Sequence, residues 1–120
     1  TNNKVQISLS QWYQDYPAAS DFLYILLSCG SFTPGSDSSI NMAGYCNKDL
    51  DVKMQKAMTL GLTDPAAANK MWGDIDKEVM ADAPVAVAFT PKQVDFISKG
   101  TKNYHFSKQY KMFVSQLQVK

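Results

Sequence analysis

The sequence holds no apolar run near the ~20 residues that a membrane-spanning helix needs, so no such helix is expected. No stretch has the layout of a signal peptide, and any targeting segment is expected to have been removed or to lie outside these residues. Histidine occurs once and cysteine only twice, without a CxxC pair, so metal-ligand spacing is missing. A glycine-rich phosphate loop, an internal repeat and a low-complexity tract are missing too. Neither sign of charge dominates: 12 basic and 11 acidic side chains are interspersed, for a net charge of +1. That gives no electrostatic case for nucleic acid or for an anionic membrane surface. What is present, 120 residues of which 45% are hydrophobic, suits a globular domain.

The two cysteines, Cys29 and Cys46, flank a polar loop rich in Gly and Ser. An even count bracketing one loop, with no histidine nearby, favours a disulfide over a metal site, the remaining alternative being two free buried thiols. A disulfide implies an oxidising location: the cell surface, the periplasm or the medium.

Along the chain, Val5, Ile7 and Leu9 alternate with polar residues, which predicts a half-buried strand. Pro17 opposes further strand pairing, and Ser20 is placed to cap a helix whose body, residues 22–27, is apolar on all sides and expected to be buried. Asn47 is a cap for a second helix with Leu50, Met54, Ala57 and Met58 at helical spacing, closed by Gly61. Asp64 followed by Pro65 starts a third, with a stripe of Met71, Trp72, Ile75, Val79 and Met80 opposite Lys70, Asp74 and Lys77. Pro84 ends it. Residues 85–89 read as a short buried strand, residues 94–98 as a less regular one, and residues 104–120 as short strands and turns.

The expected strand delivers Trp12, Tyr13 and Asp15 to the loop before the first helix. A carboxylate between aromatic side chains is how a site for a cationic small ligand is built, and a bound zwitterion brings an ammonium group that needs a charged partner. Asp15 is accordingly expected at a wall of packed structure. The competing reading makes Asp15 a cap for the following turn, with Trp12 and Tyr13 as ordinary packing residues and Tyr16 structural. No catalytic residue is assigned. His105 reads as a packed or surface residue, Asp49 and Asp51 at a helix start do not face each other, Asp74 and Asp76 diverge, and Ser28 has no base nearby in sequence. No cofactor and no metal are expected.

Motifs in a fixed order extend over nearly the whole chain. W-x-x-D-Y-P is followed by S-D-F-L, then N-K-D-L-D with a downstream K-A, then D-P-A-A before an amphipathic helix ending D-A-P-V, then S-K-G-T-K-N-Y and a closing S-Q-L-Q-V-K. In this order and spacing the chain resembles the C-terminal portion of the extracellular solute-binding proteins of peptide importers, the dipeptide, oligopeptide and nickel-binding family. The resemblance implies an α/β protein with a partial type II periplasmic-binding-protein fold. Residues 1–89 would form part of lobe II, and residues 90–120 the crossover and C-terminal segment returning to lobe I. It further implies ligand capture by hinge closure, with Asp15 pairing the ligand ammonium and Trp12 and Tyr13 lining the pocket. The implied partners are a small solute such as a short peptide, the permease subunits of an ABC importer and the remaining N-terminal part of the same protein. Membrane attachment would be through a lipid anchor outside this chain. On that reading 120 residues alone are not expected to hold the native form. The alternative is a stand-alone extracellular interaction or structural domain without a small-molecule site.

Overall fold

The structure, a computed structural model, describes residues 6–119, which divide into two compact units, one ending at Ala86 and one beginning at Val87. The first unit is helical: α1 (Ser20–Leu27), a 3-10 turn (Cys29–Ser31), α2 (Lys48–Leu60) and α3 (Pro65–Ala81).

Local chemistry accounts for the ends of α2 and α3. Asn47 Oδ1 accepts from the backbone N–H of Asp49 at 3.1 Å and of Leu50 at 3.2 Å, satisfying two donors that the first helical turn leaves open. Asp64 Oδ1 accepts from Ala67 N–H at 3.0 Å, and Pro65 occupies the first turn, where its missing N–H costs nothing. Gly61 ends α2, but with φ of −59° it does so in ordinary helical geometry and not in the left-handed conformation usual for a terminal glycine. Its value is closeness: a Cβ there would stand 3.3 Å from the Met58 carbonyl oxygen and 3.7 Å from Ala68 Cβ of α3.

The predicted stripes form the core. Leu50, Met54 and Ala57 of α2 meet Trp72, Ile75 and Val79 of α3, and Leu23 and Leu27 of α1 complete the cluster. Met54, Ala57 and Val79 retain no exposure at all. Lys70, Asp74 and Lys77 face solvent, and Lys77 pairs with Asp74 at 3.2 Å.

Four expectations are corrected here, three in this unit and one at its junction with the second. Residues 6–14 are not in a strand, and Leu9 is 97% exposed; Val5 lies outside the described residues. An alternating pattern becomes a strand only beside a hydrogen-bonding neighbour, and the described residues supply none here. Helix α1 is buried on one face only: Leu23 and Leu27 join the core, whereas Phe22 is exposed and Tyr24, Ile25 and Leu26 are half-buried. Ser20 is not the cap but the first helical residue; Ala19 precedes it without a side-chain capping bond. The stretch 85–89 is neither a strand nor buried, with Val87 and Phe89 among the exposed apolar residues, again for want of a ladder partner among the described residues.

The second unit contains two antiparallel pairs. β1 (Thr101–Lys102) pairs with β4 (Gln118–Val119), and β2 (Phe106–Ser107) pairs with β3 (Lys111–Met112) in a hairpin. Ser107 Oγ accepts from the N–H groups of Gln109 and Tyr110, both at 3.2 Å, which holds the hairpin turn. A 3-10 turn (Val114–Gln116) leads into β4. Short strands and turns are what the sequence predicts for this tail. Residues 94–98, by contrast, form no strand, and Phe96 is 95% exposed.

Candidate functional site

Trp12, Tyr13 and Asp15 lie on the irregular segment that leads into α1. Its path is fixed by hydrogen bonds that the alternation pattern does not reveal. After Tyr16, the Ala18 N–H donates to the Tyr16 carbonyl at 2.9 Å across Pro17, and Leu23 N–H donates to Ala19 O at 2.9 Å to begin the helix. The Asp15 N–H donates to Asp21 Oδ2 at 2.8 Å, closing a loop of six residues in sequence separation. Ser20 Oγ donates to the Tyr16 hydroxyl at 3.2 Å.

The two carboxylates of this segment have opposite environments. The Asp21 residue has no exposure, and its Oδ1 has no hydrogen-bond partner among the described residues. The Asp15 side chain is exposed and not held within a packed wall, because the buried position at the start of α1 belongs to Asp21. Tyr13 is 61% exposed, and Trp12 is half-buried with its indole N–H enclosed and without a hydrogen-bond acceptor among the described residues. The segment therefore presents one accessible carboxylate with one accessible and one partly packed aromatic close by in sequence.

A groove of about 340 Å³ opens at the end of this segment, lined by Ala19, Phe22 and Leu23 from the α1 side and by Asn69, Trp72, Gly73 and Asp76 from α3. Asn69, Trp72, Gly73 and Asp76 fall at helical spacing on one side of α3, and that periodicity was readable in the sequence. From the sequence alone Asp76 is only a carboxylate diverging from Asp74, and Asn69 carries no signal of its own.

A second organised cluster surrounds the cysteines, which form a disulfide. Both carboxylate oxygens of Asp51 accept from the Cys29 N–H, at 3.2 and 3.1 Å, tying the 3-10 turn to α2. Asn41, 1% exposed, donates from Nδ2 to Ser28 O at 3.0 Å and Tyr45 O at 2.7 Å, and its Oδ1 accepts from Tyr45 N–H at 3.3 Å. One amide side chain thus fixes both ends of the disulfide loop. Neither role was visible from spacing, since the partners are 22 and 13 residues apart.

Tyr45 links this cluster to the end of α3: its hydroxyl donates to Asp82 Oδ2 at 2.5 Å, where Asn47 Nδ2 also donates at 3.4 Å. Burial first, and the bond to the Asp82 carboxylate second, push the Tyr45 phenol from 10.0 up to about 12. A phenol held protonated by the fold stabilises it fully below the unfolded value of 10.0, and this contribution is lost as pH rises to about 12. Difference ultraviolet titration of the protein against Tyr45→Phe is expected to show the missing tyrosinate signal near pH 12. Asp82→Asn should move it back toward the ordinary tyrosine range. Ionisation of Tyr45 together with the exposed tyrosines would contradict this assignment.

The residues considered for catalysis fall in both units. His105 is exposed in the second unit, where its carbonyl accepts from Phe113 N–H at 3.2 Å. Ser28 is buried in the first unit with its hydroxyl 3.0 Å from that of Ser31. Among the described residues, no group of three or more His, Cys, Asp or Glu is placed to hold a metal ion, and no helix is long and apolar enough to cross a membrane. No protein-family model, curated protein or solved structure matches the chain. The disulfide is of the kind that oxidising compartments preserve.

Proposed function

We propose that the chain is the C-terminal portion of an extracellular or periplasmic solute-binding protein of an ABC importer, of the dipeptide, oligopeptide and nickel-binding family. It captures a short peptide or similar small solute between two lobes by hinge closure. The observation that carries this reading is the geometry at Asp15: an accessible carboxylate whose backbone is fixed by Asp21, with Trp12 and Tyr13 on the same segment. It stands in the same place in the W-x-x-D-Y-P motif as the acidic residue that binds the ligand ammonium in peptide-binding members. In water such a carboxylate gains little from pairing with a cation. Closure of a second lobe removes that water and strengthens the attraction, which couples ligand capture to hinge motion.

The exposed apolar segments support the same reading. Ile7 and Leu9 in one, and Val87 and Phe89, then Val94 and Phe96 in another, alternate as strands do yet cover nothing among the described residues. Such segments are apolar faces awaiting a sheet, and the lobes of a larger solute-binding protein would provide those sheets. The permease subunits and the rest of the protein are then the macromolecular partners, and the chain itself performs no chemistry.

Peptide-dependent thermal stabilisation and titration calorimetry on the intact protein test the proposal. Di- to hexapeptides with a free α-amine are expected to bind, and Asp15→Ala to weaken them by about 10- to 100-fold, the range for losing a charge-assisted hydrogen bond. An intact fold that responds to none of these peptides would overturn it.

A second reading, a stand-alone extracellular interaction or structural domain, is favoured by the helical unit burying a core of its own. It predicts no stabilisation by any small solute and no effect of Asp15→Ala beyond the local turn.

A further inference from the structure

We infer that Asp21 is the positioning residue for Asp15: its buried carboxylate sets where the Asp15 side chain is presented to a ligand ammonium. The inference rests on the peptide-capture reading and adds to it the residue on which ligand selectivity for a free amine depends.

Three observations carry it. The Asp15 N–H donates to Asp21 Oδ2 at 2.8 Å, so the bond fixes the backbone of the very residue whose side chain would meet the ligand. Asp21 has no exposure and its Oδ1 has no partner, so among the described residues the bond from the Asp15 N–H is the hydrogen bond its carboxylate makes. The chain between them contains Pro17, which limits the ways the loop can close, and the Ser20 to Tyr16 hydroxyl bond braces the same turn.

An acid in the first turn of a helix is commonplace, since the macrodipole favours it. That explains an exposed acid well and a fully buried one poorly. Enclosing a carboxylate is unfavourable unless its hydrogen bonds are met, and here half of it is unmet. Leu23 and Leu27 on the same helix show that apolar side chains pack against this core. An aspartate at position 21 therefore contributes something that packing does not require, and the contact it makes is to Asp15. The arrangement leaves the Asp15 carboxylate accessible while removing freedom from the backbone that carries it. Binding an ammonium group then costs less ordering than it would from a loose turn.

The test uses the intact protein, trialanine and N-acetyl-trialanine, with affinities measured by calorimetry for wild type, Asp15→Ala, Asp21→Asn and Asp21→Leu. Wild type is expected to prefer the free amine, and Asp15→Ala to abolish the preference. Asp21→Asn keeps an acceptor for the Asp15 N–H and should keep most of the preference. Asp21→Leu keeps the branched outline without the acceptor, and should reduce the preference by about five- to tenfold, a hydrogen bond's worth, while binding the acetylated peptide as wild type does. A merely structural Asp21 would weaken both peptides alike, and that outcome overturns the inference, as does full preference retained in Asp21→Leu. Should Asp21→Leu fail to fold, amide hydrogen exchange in wild type decides: protection of the Asp15 N–H comparable to that of α1 supports the assignment, and exchange at the rate of an open loop overturns it. If wild type itself binds trialanine without preferring it to the acetylated form, the ammonium-pairing reading has failed first, and the Asp15→Ala result identifies that case separately.

Discussion

Met54→Ala is expected to lower the unfolding free energy by about 2–5 kcal/mol, the range for truncating a fully enclosed large apolar side chain to alanine. Met54 has no exposure and sits where α1, α2 and α3 meet, among Leu23, Leu27, Ala57, Ile75 and Val79. The core is small and built from three helices, so few neighbours can move into the vacated space without opening another gap. Two variants separate burial from helix propensity. Met54→Leu conserves volume and should cost less than about 1.5 kcal/mol. Val52→Ala lies on the same helix at a position 68% exposed, and should change stability by no more than about 0.5 kcal/mol. Urea unfolding followed by helical circular dichroism measures all three. A Met54→Ala protein as stable as Val52→Ala would show that this cluster is not what holds the helices together.

What the sequence disclosed, and what it did not, follows the range of the interactions involved. Caps are local: Asn47 and Asp64 bond to backbone groups two or three residues ahead, so composition and order suffice to find them. The stripes of α2 and α3 are equally legible, because an apolar period of 3.6 leaves a helix little choice of buried face. The cysteine pair needed only its parity and the loop between its members. Strands are different. The alternation at residues 6–10 and the apolar run at 85–89 are real, yet an isolated strand is worth nothing without the ladder of a neighbour, and the described residues offer none there.

The candidate site was legible to the same degree. Asp15, Trp12 and Tyr13 are proposed from residue type and order, but which of two aspartates is enclosed is not legible there. Asp15 and Asp21 are six apart, and the buried position falls to Asp21, in the first turn of α1, while Asp15 stays exposed on the segment before it. The roles of Asn41 and Asp51 are hidden in the sequence for a related reason. Both are polar residues in ordinary settings along the chain, and their importance comes from backbone groups of the Cys29 turn that reach them only in the folded state.

Removing the disulfide, by Cys29→Ser with Cys46→Ser, is expected to destabilise the protein by about 3 kcal/mol, the loop-closure entropy for a separation of 17 residues. The folded state has reason to keep its shape without the bond. Asp51 still holds the Cys29 N–H through both oxygens, and Asn41 still joins Ser28 to Tyr45 across the loop. The loss therefore falls on the unfolded chain, which gains the conformations that the cross-link forbids. That assignment has a signature beyond the midpoint. A freer unfolded chain exposes more surface, so the dependence of unfolding free energy on urea should steepen in the double variant, while the peptide affinity proposed above, measured in the absence of urea, should stay as in the wild type. Loss of affinity with unchanged steepness would instead place the effect in the folded state, and would mean that the bond shapes the turn after α1 rather than restraining the unfolded chain. The unchanged affinity also follows from the separation of the two clusters in hydrogen bonding: the Asp15 segment is held through Asp21 at the start of α1, and the cysteine turn is held through Asp51 of α2 at its end.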